Sequence, residues 1–510
     1  MSEPQPTLRR PNILLITTDQ QRYDTLGVTG NLHIQTPNLN RLAARGTLFD
    51  RTYIQNPVCV PSRACIQTGR YMHQHGVDHM TNEVEQTPGL PPWETTFMDR
   101  LHQDGYATAA FGHIHMLPPK GFDEMQLTLN KGVRWTEAEG SPLGPAQLGP
   151  VYADWLDRKR PGAYESIYTQ RRLPEYREQA TAIVNTLAAE EYVDYWIAEN
   201  TRNYLERDDI GTGDNPFFAW CGFCGPHGPF DPPEPYASLY DPDEIPLPPL
   251  LHSRQRGTLA SDYDSRFDEP GGEQLIRKII AYYWGMVTFI DDMVGEIMDV
   301  LTQRGLLQNT LVIFTSDHGE LLGDFGQLGK GNFMEPVIRV PCIIVPPGSK
   351  PAKQNQPRRI SDLIELIDLA PTILDYADIP QPESMPGVSL RRYLQQLRQS
   401  AQASLPSKDS VLCEYVSNDQ QLRHKCLRTI RYKYIFSGAD RPVEFYDLQE
   451  DPQEITNVAT DPAYQEATQR HAQLLLDRLM RTEQTTWNSD PISRVPDTID
   501  SFGRRLVAHD

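Results

Sequence analysis

Up to about Pro380, short apolar runs alternate with longer amphipathic segments. NILLIT, Asn12 to Thr17, is rich in Ile and Leu and reads as a buried strand. TPNLNRLAARG follows, with Thr36 as N-cap, Pro37 at the first helical position and Gly46 just past the end, and predicts a helix. Further strands are predicted at ATAAFG (Ala107 to Gly112), FFAWCGF (Phe217 to Phe223), TLVIFT (Thr310 to Thr315) and VPCIIVPPG (Val340 to Gly348). Glu273 to Gly305 has helical periodicity, and SDLIELIDLAPTILDYADI predicts one or two short helices. Strands alternating with helices imply an α/β domain: a large, mainly parallel central sheet flanked by helices.

Beyond Pro380 the pattern changes. SVLCEYV, KCLRTI, YKYIF and VEFYDL are short β runs spaced like a meander, followed by a helix over Ala463 to Arg481. The expected organisation is an α/β domain over 1–380, a smaller α+β unit over 381–482, and a tail over 483–510. That tail is a candidate oligomerisation arm, hence a homo-oligomer. The Pro/Gly-rich stretches Glu137 to Pro150 and Asp243 to Gly257 are candidate substrate walls.

Charge narrows the partners. With 48 basic and 68 acidic residues the net charge is −20, which argues against nucleic acid and anionic membrane as partners. It leaves room for a small anionic substrate in a locally positive pocket. No apolar stretch reaches bilayer-spanning length, and the first apolar run meets Asp19 too soon for a signal sequence. Seven cysteines without framework spacing fit a reducing compartment, so a cytoplasmic location is expected.

The strand ends carry the chemistry. Open α/β sheets build sites at the carboxyl ends of their strands. Here the predicted strands are followed by Asp19 and Gln20, by His113 and His115, by His227, and by Asp317 and His318. Asp19, Asp317 and His318 are ligands suited to one divalent cation, with Gln20 able to add a carbonyl oxygen. The oxygen donors suit calcium, and His318 tilts the choice toward manganese. His113 and His115 alternate, so an extended chain would point them apart. His227 sits in the proline-framed GPHGPFDPP, where it could donate a proton, contact an anion or simply be a hydrogen-bonded loop histidine. Lys330 sits in the glycine-bearing GDFGQLGKGNF, where it could contact an anionic ester or be a solvated surface lysine. Asp291 and Asp292 are adjacent on a helix, face different ways and read as structural or solvated.

Cys59 stands in NPVCVPSRACIQTGRY, ahead of Pro61, Arg63 and a short predicted helix from Ser62 to Thr68. A helix N-terminus and a guanidinium suit a tetrahedral anion. A thiolate there could be a nucleophile, and a buried cysteine could equally be core filler. Pattern alone does not choose. The Cys221 to Cys224 pair, CGFC, lies in the run of a strand and not at a helix start, so it reads as two buried strand cysteines and not as a thiol redox centre.

CVPSR, Cys59 to Arg63, resembles the Cys-x-Pro-Ser-Arg signature of the type I sulfatases in the alkaline phosphatase superfamily. PNILLITTDQQRYDTLG, TGRYMHQHGV, FTSDHGELLGDFG, GKGNFMEPVIRVPCII and EFYDLQEDPQEITNVA extend the likeness along most of the chain. The resemblance implies an alkaline phosphatase-like fold and a sulfuric ester hydrolase. It implies that a separate formylglycine-generating enzyme oxidises Cys59 to formylglycine. The hydrated aldehyde attacks sulfur or phosphorus, and its second hydroxyl lets the hemiacetal collapse. Carried over residue by residue, Asp19, Gln20, Cys59, Asp317 and His318 hold one divalent metal, and Arg63 orients the nucleophile. His115, His227 and Lys330 assist at the ester, while His113 and Asn82 line the substrate pocket. Asp19-Gln20 with Asp317-His318 resembles the choline-sulfatase and phosphonate monoester hydrolase branch. His113 stands where many sulfatases carry lysine, which weakens positive potential at the ester and keeps a phosphonate monoester or phosphodiester hydrolase as the alternative.

Overall fold

The computed structural model describes residues 10–78, 89–115, 119–128, 150–212, 215–253, 264–352, 356–399, 408–417 and 422–483. Asn82, the stretch expected as a wall over 137–149, residues 254–257 of the second wall and residues 484–510 of the expected oligomerisation arm lie outside them.

The central sheet has eight strands: β1 (Asn12–Asp19), β2 (Thr47–Phe49), β3 (Ala107–Gly112), β4 (Glu124–Leu127), β5 (Phe217–Pro226), β6 (Thr310–Ser316), β7 (Cys342–Val345) and β8 (Arg358–Ile360). Their spatial order is β8-β2-β7-β6-β1-β5-β3-β4. All neighbouring pairs run parallel except those made by β7, which is antiparallel to both β2 and β6. The expected parallel character therefore holds for all but one strand. The segment predicted as a strand from Val340 to Gly348 contributes only Cys342–Val345 to this sheet. Arg339–Val340 pairs instead with Thr52–Tyr53 in a separate small sheet.

Strand β1 lies at the centre, with Ile16 opposite Cys221 on one side and Phe314 on the other. Alternation sends its side chains into two cores. Ile13 and Leu15 join Phe218, Trp220, Leu311 and Ile313 on one face. Leu14 and Ile16 join Ala219, Cys221, Val312 and Phe314 on the other. The second face is covered by helices α1 (Pro37–Arg45), α3 (Val193–Leu205) and α4 (Gly272–Gln303), the last through Phe289, Ile290, Met293, Val294 and Ile297. The first face is covered by Ile66 of helix α2 (Cys59–Thr68) and by Ile373 and Leu374 of a short helix over Leu369–Tyr376.

The meander forms a four-stranded antiparallel sheet, β9 (Val411–Val416), β10 (Arg423–Arg428), β11 (Tyr432–Phe436) and β12 (Glu444–Asp447), in sequential order. Helix α5 (Gln465–Thr482) packs on it through Leu475. Val411, Cys413, Cys426, Ile435 and Tyr446 share the first core with the large sheet, so the small sheet is a third wall of that core.

Two expectations about helix starts are corrected. Thr36 makes no side-chain cap for α1. The carboxylate of Asp291 on α4 accepts from Asn38 N at 2.9 Å and Leu39 N at 2.7 Å, taking over the orphan donors of the first turn. Thr36 Oγ1 instead accepts from Gly27 N. Asp291 is thus structural, as its position on the helix suggested. Helix α2 begins at Cys59 itself and not at Ser62, because Ser62 N donates to Val58 O at 3.0 Å. Pro61 is tolerated in that first turn, where its missing N–H has no helical partner to lose.

Candidate active site

The strand order brings the chemistry to one edge. Strands β6, β1, β5 and β3 are consecutive neighbours, so Asp317, Asp19, His227 and His113 emerge side by side from their carboxyl ends. Helix α2 sits above that edge and is buried along its whole length. Cys59 at its first position lies 3.7 Å from Asp19 Oδ1 and 3.1 Å from His318 Nε2. Four potential ligand atoms, from Asp19, Cys59, Asp317 and His318, lie within 4.8 Å of one another, all buried.

Arg63, one turn along α2, fixes the two carboxylates. Its Nε donates to Asp317 Oδ2 at 2.7 Å and its Nη2 to Asp19 Oδ2 at 3.2 Å, while Nη1 donates to the His113 carbonyl. Asp19 Oδ2 also faces His113 Nε2 at 3.1 Å. With Oδ2 held from two sides, Asp19 Oδ1 is the oxygen near His318, Lys330 and His227, at 3.6, 4.0 and 4.0 Å. Burial drives the Asp19 carboxyl up, but His227, Lys330, the His113 hydrogen bond and Arg63 outweigh it and hold it well below the usual carboxylate range. Asp317 Oδ1 accepts from the backbone N–H of Gln20 at 3.1 Å and of His318 at 2.9 Å.

His318 Nδ1 contacts the Gly319 carbonyl at 2.9 Å, which places its proton there and leaves the Nε2 lone pair toward Cys59. His227 is fixed in the same way by the Gly228 carbonyl at 2.7 Å. Burial, then Lys330, push its pKa down to about 3, so its Nε2 is unprotonated at neutral pH. Lys330 Nζ reaches Cys59 Sγ at 2.7 Å and His318 Nε2 at 2.9 Å. Burial drives the Cys59 thiol up, Asp19 adds to this, and its pKa reaches about 12 despite Lys330. An unmodified Cys59 is therefore a neutral thiol and a poor nucleophile.

The donor set fits a divalent cation. Two carboxylates and an imidazole lone pair converge, and the Gln20 side-chain oxygen is buried with no hydrogen-bond donor among the described residues. Gln20 Nε2 donates to Glu320, so the amide presents its oxygen elsewhere. Asp19, His113 and His115 form a second convergence. There Asp19 Oδ2 already serves Arg63 and His113, and the adjacent guanidinium disfavours a second cation. That group supports Asp19.

His113 and His115 do not point apart as the alternation rule expected. Their ring centroids are 4.4 Å apart. Strand β3 ends at Gly112, and His115 takes a left-handed backbone with φ 47°, which folds the chain back and brings both rings to one side. His115 Nδ1 is buried without a hydrogen-bond partner among the described residues. Cys221 and Cys224 lie buried within β5 with no disulfide joining them, as expected of strand cysteines. Two residues escaped the sequence reading: Glu320, bonded to Gln20, and Tyr283 of α4, whose hydroxyl donates to the Gln20 carbonyl at 2.6 Å. Glu320 stands two residues beyond His318 in SDHGE, which is the only local signal for it.

Comparison with known proteins agrees with this geometry. The sulfatase family model matches residues 11–379, and a model described as N-sulphoglucosamine sulphohydrolase, C-terminal, matches 323–482. An arylsulfatase of Clostridium perfringens is 27% identical over 93% of this chain and 95% of its own length. A choline-sulfatase of Rhizobium meliloti is 29% identical over 89% of this chain and 84% of its own. The crystal structure of a phosphonate monoester hydrolase of Agrobacterium radiobacter superposes with a TM-score of 0.75 at 25% identity, covering 93% of this chain and 96% of that one. A matched stretch that runs from the first ligand strand through the second, with Cys59, Arg63 and both aspartates converging at its centre, leaves one assignment: the chain belongs to the sulfatase family.

Proposed function

We propose that the protein hydrolyses sulfate esters, with aryl esters as the model class, at the site formed by Asp19, Cys59, Asp317 and His318. The observation that carries this reading is the convergence of these four residues beneath Lys330. They and the Gln20 amide oxygen hold one divalent cation, calcium or manganese. Such a cation neutralises ester oxygens and acidifies a hydroxyl in contact with it. Formylglycine made from Cys59 by a formylglycine-generating enzyme supplies that hydroxyl, which the neutral thiol cannot replace.

The remaining work falls to the chain's own side chains. Arg63 keeps the two carboxylates apart and aimed. Lys330 and His227 are the site groups with the most exposed side chains, at 19% and 18%, whereas Asp19, Asp317 and His318 expose 1% or less. They are therefore the groups that meet the ester. Lys330 contacts a non-bridging ester oxygen with its ammonium. His227 turns its unprotonated Nε2 toward the ester side of the site, where it serves as a proton acceptor. His115 is a second proton carrier through Nδ1, which has no hydrogen-bond partner among the described residues. His113, fully buried, acts on substrate only through Asp19. The reading includes a cytoplasmic location, the domain boundary near Pro380 and self-association through the C-terminal tail.

The alternative is a phosphonate monoester or phosphodiester hydrolase on the same machinery. His113 favours it: burial lowers its pKa, so it adds no positive charge where a lysine would. The deciding measurement is kcat/KM for one phenolic leaving group carrying sulfate, phosphonate monoester or phosphodiester heads. The protein is co-expressed with a formylglycine-generating enzyme. Sulfate is expected to lead; an inert sulfate beside an active phosphonate replaces the first reading with the second.

A further inference from the structure

Glu320 is fully buried, and each of its carboxylate oxygens serves a different part of the site. Oε2 accepts from the side-chain Nε2 of Gln20. Oε1 accepts from the backbone N–H of Leu322 at 3.1 Å and from that of Gly329, the residue before Lys330. Leu321 N donates in turn to the Gly329 carbonyl at 2.9 Å, so Glu320 and Leu321 clasp Gly329 by both its backbone groups. Gly329 has φ 95°, a conformation that glycine alone adopts without strain, and the chain turns there to deliver Lys330 to Cys59.

The Gln20 end is determined as tightly. Its backbone N–H donates to Asp317 Oδ1 and its carbonyl accepts from Tyr283. Its φ is 68°, so the residue is pinned in a turn directly after Asp19. Only the amide remains to be oriented. A carboxylate accepts and does not donate, so Glu320 selects the NH2 end and leaves Oε1 on the other side. That oxygen is buried and has no donor among the described residues. A hard cation is the partner that a buried amide oxygen beside two aspartates calls for.

We propose that Glu320 is a positioning residue that sets the Gln20 amide oxygen toward the cation and, through Gly329, sets Lys330 toward the ester. It touches neither cation nor ester. One carboxylate thereby ties the cation ligand set to the anion-binding lysine. This rests on the cation reading above, and the test separates the two. Replacing one oxygen by an NH2 group in Glu320→Gln sets donor against donor at Gln20 or Gly329. The Gln20 amide relieves the clash by turning its oxygen away from the cation.

Mn²⁺ is titrated calorimetrically into the cation-free full-length protein, its Glu320→Gln and Gln20→Ala variants and the double variant. Orienting partners of ligands are worth tenfold to a hundredfold in affinity. Glu320→Gln is expected to weaken Mn²⁺ by about that factor. The same change in the Gln20→Ala background is expected to do little more, because the two act as one unit. At saturating Mn²⁺, Glu320→Gln is also expected to raise KM for an aryl sulfate through Lys330, an effect that persists in the Gln20→Ala background. The proposal is overturned if Glu320→Gln binds Mn²⁺ like the parent, or if its full loss recurs without Gln20. Where Glu320→Gln does not fold, Gln20→Ala decides alone: unchanged Mn²⁺ affinity overturns the proposal. A parent protein that binds neither Mn²⁺ nor Ca²⁺ overturns the cation reading itself.

Discussion

Lys330 Nζ stands 2.7 Å from Cys59 Sγ across 271 residues of sequence. Burial works against the ammonium, but Cys59, Asp19 and Asp317 outweigh it and raise its pKa above the ordinary lysine value. The charge is therefore permanent where the ester must arrive. Lys330→Met keeps the length and loses the charge. Steady-state kinetics on an aryl sulfate are expected to show kcat/KM lower by about 10² to 10³, the scale of removing one fixed donor to developing charge. Lys330→Arg restores little, since a planar fork does not fit where a compact ammonium reaches both sulfur and imidazole. Parent-like kinetics in Lys330→Met would rule out the ester contact.

Cys59 and Cys65 share helix α2 but face different surroundings. Cys65 lies 3.3 Å from His75 Nε2 and packs with Tyr71, Leu412, Leu427 and Phe445 against the small sheet. Cys59→Ala is expected to reduce turnover by roughly 10⁴-fold or more, as loss of a nucleophile does. Cys65→Ala is expected to leave kcat unchanged. Peptide mass analysis provides the independent check: co-expression with the modifying enzyme exchanges CH2–SH for an aldehyde at Cys59 alone. Modification at Cys65, or activity in Cys59→Ala, contradicts the assignment.

Arg63 is a buried cation between two buried carboxylates, at 2.7 Å from Asp317 and 3.2 Å from Asp19. Removing one member of such a group costs about 3–5 kcal/mol, because the partner charges stay buried without compensation. Arg63→Met is expected to lose that much stability when free of cation. Mn²⁺ then replaces part of the missing charge, so it should raise the melting temperature of Arg63→Met more than that of the parent. Equal Mn²⁺ shifts in both proteins would show that Arg63 and the cation do not share the same two carboxylates.

What the sequence made legible follows contiguity. Asp19, Cys59, Arg63, Asp317 and His318 each fall within or directly beside a run whose period or turn residues fix the local structure. The strand order that unites them is a tertiary fact, and the shared edge could only be assumed. Readings that depended on continuing a local rule past its element failed. The alternation that separated His113 from His115 stops at Gly112, and a left-handed residue reverses it. Thr36 looked like a cap because its type and place were right. Asp291, 253 residues from Asn38 along the chain, arrives with a charged acceptor that serves two backbone donors at once. Glu320 was invisible for the same reason, since its meaning lies in the approach of Gly329 and Gln20.

The small sheet is tied beneath the nucleophile helix by an ion pair that acid should break. Glu414 of β9 is fully buried. Its Oε2 lies 2.9 Å from His73 Nδ1 and accepts from His73 N at 3.2 Å, just beyond α2, and its Oε1 accepts from Lys425 of β10. Burial pushes its carboxyl up, but the His73 hydrogen bond and Lys425 push harder, taking it from 4.5 down to about 2. A carboxyl whose folded pKa lies below its unfolded one binds fewer protons folded than unfolded across that window. Its stabilisation is therefore complete above about pH 4.5 and is lost as pH falls toward 2. A shift of that size corresponds to about 3 kcal/mol. Glu414→Gln is expected to be less stable at pH 7 and to lose less stability than the parent between pH 4.5 and 2. Other carboxyls titrate in the same range, so the difference between the two denaturation curves is the quantity to read. Parallel curves across that interval would mean that Glu414 does not hold the sheet in place.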